Sequence, residues 1–195
     1  MTPPPTGHRL VVLFLVGVLA LTGCTSLSGT GDQGFVSGDG QLTVRTASER
    51  EATIELTGEG LEGESLDLAD YRGTPVVVVV WGAWCAPCVA EAPEVVEAAE
   101  TLGDEARFLG INLRDPDQAQ AQAFVRNYDV PYPSIYAPDG KAMLAFDGVL
   151  APNSIPSFVV LDREGRVAAT ILGELPSVQT LVEVTRDVAE ESADG

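Results

Sequence analysis

The sequence is poor in histidine and in basic residues, and both shortages limit what the protein can do. His8 is the only histidine in 195 residues, so the remainder of the chain cannot form a Ser-His-Asp triad, a Cys-His pair or a histidine-ligated metal site. Lysine and arginine total 11 against 29 acidic residues, which gives a net charge of −18. A surface this acidic repels phosphate groups, so no nucleic-acid partner is expected. No metal or cofactor is expected either.

The N-terminal segment has the pattern of an export signal rather than of a folded domain. Arg9 precedes an apolar run at 10–21, which is shorter than the ~20 residues needed to span a bilayer. The run ends in Leu-Thr-Gly before Cys24, a pattern similar to the lipobox of bacterial lipoproteins. That resemblance implies a signal peptide at 1–23 and a lipid anchor on the Cys24 sulfur. The alternative is an ordinary secretory signal followed by an unmodified thiol.

The composition changes after the apolar run. Residues 24–40 are rich in Ser, Gly, Thr and Asp and predict a flexible tether. Residues 41–193 are long enough for one domain with its own hydrophobic core. These predictions place the domain outside the cytoplasm, lipid-anchored to the outer face of the cell membrane.

Strand and helix patterns alternate along the folded part. Strands are predicted at 52–56, 76–81, 107–113, 134–136, 158–161 and 167–172. Helices are predicted from Cys85 to Gly103, from Asp115-Pro116 onwards and from Pro176 onwards. Five consecutive valines at 76–80 indicate a central strand that is covered on both faces. The pattern therefore predicts an α/β fold, a sheet sandwiched between helices.

Cys85 and Cys88 lie at the predicted junction between this strand and a helix. The unpaired amides and the dipole of a helix N-terminus favour a thiolate, so Cys85 is the expected exposed nucleophile. Cys88, one turn further into the helix, is the expected shielded thiol that resolves a mixed disulfide. A zinc site would need another Cys or His pair, and a purely structural disulfide usually joins distant segments. The pair therefore predicts a redox-active disulfide, Cys85–Cys88.

The run at 75–88 reads Pro-Val-Val-Val-Val-Val-Trp-Gly-Ala-Trp-Cys-Ala-Pro-Cys and resembles the active-site stretch of the thioredoxin superfamily. More narrowly, residues 52 to about 190 are similar to the TlpA/ResA-like extracytoplasmic thiol–disulfide oxidoreductases. The resemblance implies a thioredoxin-like fold, with a central mixed β-sheet flanked by helices, an N-terminal extension and a βα insertion at 108–133.

Glu91 follows Cys88 by three residues and therefore shares its helical face. The resemblance implies that Glu91 takes and returns the proton of Cys88; the alternative is a solvated helix glutamate. Val79 stands where cytoplasmic thioredoxins carry a buried aspartate, which leaves Glu91 as the acid near the pair. Pro93 is expected to kink the helix soon afterwards.

The substrate-binding surface is expected to surround the pair. Ile155-Pro156 resembles the cis-proline loop that faces the disulfide in this superfamily; the alternative is an ordinary trans turn proline. The predicted substrate-binding residues are Trp84, Ala86, Pro87, Ile155 and Pro156.

The function favoured by the resemblance is a ResA-type reductant, which keeps the haem-binding cysteines of apocytochrome c reduced and is recharged by a membrane thiol-electron carrier. One alternative is an oxidant that introduces disulfides into secreted proteins; its partners too are protein thiols and disulfides. A weaker alternative is a binding lipoprotein whose disulfide is only structural. A thiol peroxidase is less favoured, because that branch typically has Thr-x-x-Cys where this chain has Trp-Cys-Ala-Pro-Cys.

Overall fold

The computed structural model describes residues 35–36 and 41–191. The strands are β1 (Phe35–Val36), β2 (Leu42–Val44), β3 (Thr57–Glu59), β4 (Ser65–Asp67), β5 (Val76–Trp81), β6 (Arg107–Leu113), β7 (Ser134–Ala137), β8 (Ser157–Leu161) and β9 (Val167–Leu172). The α-helices are α1 (Ala86–Leu102), α2 (Gln118–Asn127) and α3 (Val178–Glu191). Short 3-10 helices cover Ala47–Glu49, Leu68–Tyr71, Gly103–Glu105 and Lys141–Phe146. No helix within the described ranges is long and apolar enough to cross a membrane.

Seven strands form one mixed sheet in the order β1-β2-β9-β8-β5-β6-β7, and β3 and β4 form a separate antiparallel pair. β5 runs parallel to β6 and antiparallel to β8. β6 also runs parallel to β7, with α2 between them, which forms the predicted βα insertion. β1 and β2 extend the sheet on the far side of β9. The predicted architecture, a mixed sheet flanked by helices, is confirmed.

The valine-rich strand β5 contributes to two hydrophobic cores at once. Its odd-numbered residues pack into a cluster with residues of α1, α2 and α3. Its even-numbered residues face the other side, where Leu68 and Phe146 of the 3-10 helices cover them. This alternation follows from the two-residue period of a strand. Full burial of a valine side chain contributes about 1.5 kcal/mol or more to folding stability. The position of β5, and so of the loop at its carboxyl end, is therefore strongly stabilised.

The prediction of a strand at 52–56 is wrong, because this segment forms no ladder with another strand. Ile54 and Leu56 are buried, as their alternation suggested. Their backbone groups bond to two separate places, since Ile54 N–H donates to the Gly165 carbonyl and Leu68 N–H donates to the Leu56 carbonyl. The pattern therefore correctly indicated a buried face, but not a partner strand, and the neighbouring strand is β3.

The second α-helix begins later than predicted. The Asp115-Pro116 start is wrong, because α2 runs from Gln118 to Asn127 with Asp117 as its N-cap, where an Asp117 carboxylate oxygen accepts the Gln120 N–H at 2.9 Å. Asp115 does not cap the helix because its side chain accepts the Ala83 N–H instead, at 3.0 Å. The carboxylate that was predicted to cap a helix therefore binds the loop between β5 and α1.

The predicted N-terminal segments are described only in part. Residues 1–23, Cys24 and the tether range 24–40, apart from Phe35 and Val36, lie outside the described residues. Within that predicted tether, Phe35 and Val36 pair with Val44 and Thr43 of β2. The sheet therefore includes residues that precede the predicted domain start at 41.

Candidate active site

Cys85 and Cys88 form a disulfide at the start of α1, with their Cα atoms 5.2 Å apart. β5 ends at Trp81, a short loop follows, and Cys85 is the N-cap of α1. The Cys85 sulfur accepts a hydrogen bond from the Cys88 N–H at 3.2 Å. This is one of the amides that a helix leaves unpaired at its N-terminus, so the local geometry stabilises negative charge on Cys85. Pro87 lies in the first turn, where it removes no helical hydrogen bond.

The expected difference in exposure between the two cysteines is absent from the disulfide form. Cys85 is 4% exposed and Cys88 is 3% exposed, so the prediction of an exposed Cys85 is wrong for this state. Trp84, in contrast, is 47% exposed, and its Nε1 donates to the Leu113 carbonyl at 2.8 Å. Ala86 is exposed and Pro87 half-buried. Trp84 and Ala86 thus offer contact area at the rim, with the disulfide beneath it.

Glu91 is a buried carboxyl group, 8% exposed, on the same face of α1 as Cys88. Burial raises the pKa of Glu91 to about 7; the Leu175 N–H, which donates to Oε2 at 2.9 Å, opposes the shift, while Glu174 and Glu94 add to it. A group with a pKa near neutrality both accepts and releases a proton readily at physiological pH. The structure therefore excludes the alternative of a solvated helix glutamate.

A cavity of about 20 Å³ lies between α1 and its neighbours, beside Glu91 and Cys88. Its lining includes Cys88, Glu91, Val79 and Tyr132, and Glu91 is the one carboxyl group among the lining residues. A space of this size holds about one water molecule. Burial, with a contribution from Glu91, raises the pKa of Tyr132, so the phenol stays neutral. Cys88 and Glu91 thus face the same small space.

Ile155-Pro156 is a cis peptide, as the resemblance implied. β8 begins at the next residue, Ser157, which pairs with Val80 near the carboxyl end of β5. This register places Ile155-Pro156 beside the loop that carries the cysteines. The Pro156 carbonyl accepts the Gly173 N–H at 3.0 Å, while Ile155 is half-buried against both cores.

Pro93, which was expected to kink α1, does not end it. The helix continues to Leu102, and Gly103 follows as its C-cap with φ 48°. Pro93 itself is exposed. Cys24 lies outside the described residues, so the described site consists of the cysteine pair, Glu91, the rim residues and the cis-proline loop.

Sequence reasoning missed the residues that follow β6. The Leu113 carbonyl holds Trp84, and the fully buried Asp115 accepts both the Ala83 N–H and, at 2.5 Å, the Asn112 side chain. Between them, Arg114 donates to residues of the loop before Pro156. The available signal was a polar run directly after an apolar strand, at the edge where ligand sites of parallel sheets lie.

Comparison with known proteins agrees with this geometry. The family model for AhpC/TSA proteins matches residues 50–170, more than half of the chain. The chain belongs to the AhpC/TSA family. Among characterised relatives, a thiol-disulfide oxidoreductase ResA of Bacillus cereus is 24% identical over 84% of this chain and 88% of its own length.

Two solved structures show the same thioredoxin-like fold. A DsbF homologue from Corynebacterium diphtheriae is 38% identical with a TM-score of 0.70, covering 78% of this chain and 97% of its own. A secreted thiol-disulfide isomerase from Corynebacterium glutamicum is 31% identical with a TM-score of 0.72, covering 81% and 99%. With its Cys-x-x-Cys pair, this member of the AhpC/TSA family is a thiol–disulfide oxidoreductase that acts on protein thiols and disulfides. The comparisons favour this enzyme over a binding lipoprotein with a structural disulfide.

Proposed function

We propose that the protein is an extracytoplasmic reductant of protein disulfides, with Cys85 as nucleophile, Cys88 as resolving thiol and Glu91 as proton acceptor. The Cys85 thiolate attacks a substrate disulfide and releases one substrate thiolate. Glu91 then takes the proton of Cys88, and the Cys88 thiolate attacks the Cys85 sulfur. This second attack releases the other substrate thiolate and leaves the Cys85–Cys88 disulfide. Two electrons have passed from the enzyme to the substrate.

The observation that carries the direction is the acidic setting of the resolving thiol. Glu91 lines the cavity beside Cys88, Glu94 and Glu174 act on the same carboxyl, and no lysine, arginine or histidine is among the described residues that line that cavity. Negative charge beside a thiol disfavours its thiolate. Strong oxidants of this kind depend on a stabilised reduced form, so the acidic setting favours a reducing couple.

The proposed substrate is the haem-binding cysteine pair of apocytochrome c, and the proposed electron source is a membrane thiol carrier. Both follow from the resemblance to ResA-type reductants. The proposed location is the outer face of the membrane, through a lipid on Cys24 after removal of residues 1–23, with 24–40 as tether. Replacing Cys24 by Ser is expected to move the protein from the membrane fraction to the soluble fraction. Unchanged membrane association would contradict the anchor.

The second candidate is an oxidant or isomerase for secreted proteins. The hydrogen bond from the Cys88 N–H to the Cys85 sulfur favours it, because the same bond stabilises a Cys85 thiolate. The similarity to the secreted isomerase of Corynebacterium glutamicum points the same way.

The deciding experiment is the reduction potential of the Cys85–Cys88 couple, measured by equilibration with glutathione or dithiothreitol. A value well below the ~−180 mV of an isomerase supports the reductant, whereas a value near ~−120 mV supports the oxidant. The Cys85→Ser variant is the matched control, because it keeps the fold and lacks the couple. Its insulin-reducing activity is expected to be lost. Residual activity comparable to that of the parent protein would remove Cys85 from the mechanism.

A further inference from the structure

Arg114 has a backbone conformation that arginine rarely adopts. Its φ is 59°, in the left-handed region where glycine carries no steric penalty and other residues do. Such conformations occur where the surrounding structure holds them, and they cluster at functional sites. Arg114 is therefore a candidate for a functional role.

The Arg114 side chain reaches the loop that ends in the cis-proline. Its Nη2 donates to the Pro152 carbonyl at 3.2 Å and to the Asn153 Oδ1 at 2.5 Å. The residue is exposed and directly follows the carboxyl end of β6, at the rim of the site. Hydrogen bonds from a charged donor are stronger than neutral ones, so these contacts order the loop effectively.

The loop at 151–155 makes few other hydrogen bonds. Among the described residues, the remaining hydrogen bonds of 151–155 stay within the loop or its junction with β8: Ser154 N–H to the Ala151 carbonyl, Ile155 N–H to the Asn153 carbonyl, and Ser157 Oγ–H to the Ser154 carbonyl. Arg114 is thus the residue that ties 151–155 by hydrogen bonds to another part of the described fold.

The site has two walls: the loop before Cys85, which includes Trp84, and the loop that ends in Ile155-Pro156. The residues on either side of Arg114 bind the first of these walls. The Leu113 carbonyl accepts Trp84 Nε1, and Asp115 Oδ2 accepts the Ala83 N–H. Three consecutive residues therefore contact both walls: 113 and 115 hold the loop before Cys85, and 114 holds the loop before Pro156. The turn made by the left-handed residue brings these contacts together.

We propose that Arg114 is a positioning residue that fixes the distance between the Trp84 wall and the Ile155-Pro156 loop, and thereby sets the affinity for a polypeptide substrate. The proposal rests on the proposed role of Ile155-Pro156 in substrate binding. An extended peptide that lies between the two walls needs both in place before it binds. Without Arg114, residues 152–153 lose their hydrogen bonds to the rest of the fold, and ordering them when the substrate binds weakens binding.

The test is single-turnover reduction of a disulfide-bonded peptide by the reduced protein, which gives the peptide concentration for half-maximal rate and the maximal rate. Arg114→Gly and Arg114→Ala are both expected to raise the half-maximal concentration about fivefold, with a much smaller change in maximal rate. Arg114→Lys is expected to restore part of the affinity, because it keeps a charged donor.

The two truncations separate the side chain from the backbone. Arg114→Gly removes the steric penalty at φ 59° and is expected to melt at a higher temperature than Arg114→Ala, although both lose the same affinity. Arg107→Ala is the matched control, since Arg107 is exposed at the start of the same strand and lies over Tyr71, away from the site. It removes the same charge and is expected to leave the half-maximal concentration unchanged.

Pro156→Ala distinguishes the possible failures. Loss of affinity in both Pro156→Ala and Arg114→Gly, with Arg107→Ala unaffected, supports the proposal. Loss in Pro156→Ala alone overturns the role of Arg114 and leaves the substrate-binding loop intact. If neither variant loses affinity, both the role of the loop in substrate binding and the positioning role of Arg114 are wrong. If only Arg114→Gly loses affinity, Arg114 does not act through the loop. The direction of electron flow is measured separately by the reduction potential.

Discussion

Two buried carboxyl groups, Glu91 and Asp162, lie in opposite charge environments. Asp162, 1% exposed, follows β8 and bonds to Arg50 at 3.2 Å and to Arg166 at 2.9 Å. It also accepts the backbone N–H groups of Glu164 and Arg166. Glu91 has one N–H donor and two acidic neighbours. Burial alone therefore does not identify a functional carboxyl group: Asp162 is paired with arginines, whereas Glu91 has acidic neighbours that add to the effect of burial on its pKa.

Removing the paired carboxylate has the largest expected effect. Asp162→Ala leaves the buried Arg50 with Glu191 as its remaining carboxylate partner. It also removes the acceptor of the Glu164 and Arg166 N–H groups. Loss of one member of a buried pair costs about 3–5 kcal/mol of unfolding free energy. Urea unfolding of the oxidised protein measures it. Asp139→Ala is the control, because Asp139 pairs with Lys141 at the surface, and little change is expected there. Equal effects of the two substitutions would remove the structural role assigned to Asp162.

Glu91 is expected to affect the rate of the second step, in which the mixed disulfide is resolved. Glu91→Gln keeps an oxygen for the Leu175 N–H and loses the proton acceptor, so decay of the mixed disulfide is expected to slow about 100-fold at pH 7. Stopped-flow fluorescence of the reduced protein with a disulfide peptide follows this step. Glu97→Gln, an exposed substitution on the same helix, is the control. If both variants resolve the mixed disulfide at the parent rate, Glu91 is not the proton acceptor.

The smallest expected effect is on the pH dependence of stability. The pKa of Glu91 is about 7 in the folded protein, against an ordinary value of 4.5. Between these two pH values the folded state holds a proton that the unfolded state has lost, so stability falls as pH rises through this window. Relative to Glu91→Gln, the oxidised parent protein is expected to lose on the order of 2 kcal/mol. Urea unfolding at several pH values measures the difference, and a constant difference would contradict the raised pKa.

Local signals made part of the site predictable. Five β-branched residues predicted β5, and the spacing of Cys85, Cys88 and Glu91 predicted that all three lie along one face of a helix. The role of Glu91 as proton acceptor came from the resemblance and stays a prediction. The cis form of Ile155-Pro156 followed from the resemblance rather than from local sequence, because tertiary context selects that isomer. The prediction that Cys85 is exposed was wrong for the disulfide form, because the position of a helix start does not indicate which residues cover it.

The remaining contacts join residues that are far apart in the sequence. Arg50 and Asp162 are separated by 112 positions, and Leu175 and Glu91 by 84. The Arg114 contacts span 38 and 39 positions. No periodicity or motif reports such pairs, because they arise only when the strands have been placed in order. A single sequence therefore indicates candidate reactive residues, but it does not indicate which distant residues form hydrogen bonds and ion pairs that position them.

The two edges of the main sheet, β1 and β7, differ from an open strand edge. A strand edge with free N–H and C=O groups invites another chain to add to it. One edge strand, β1, comprises two residues within the described part of the chain. Beside the other, β7, an antiparallel bridge joins Gly60 to Ile135, and the Leu61 N–H donates to the Ser134 carbonyl. Both described edges therefore give another chain little opportunity to add a strand to the sheet.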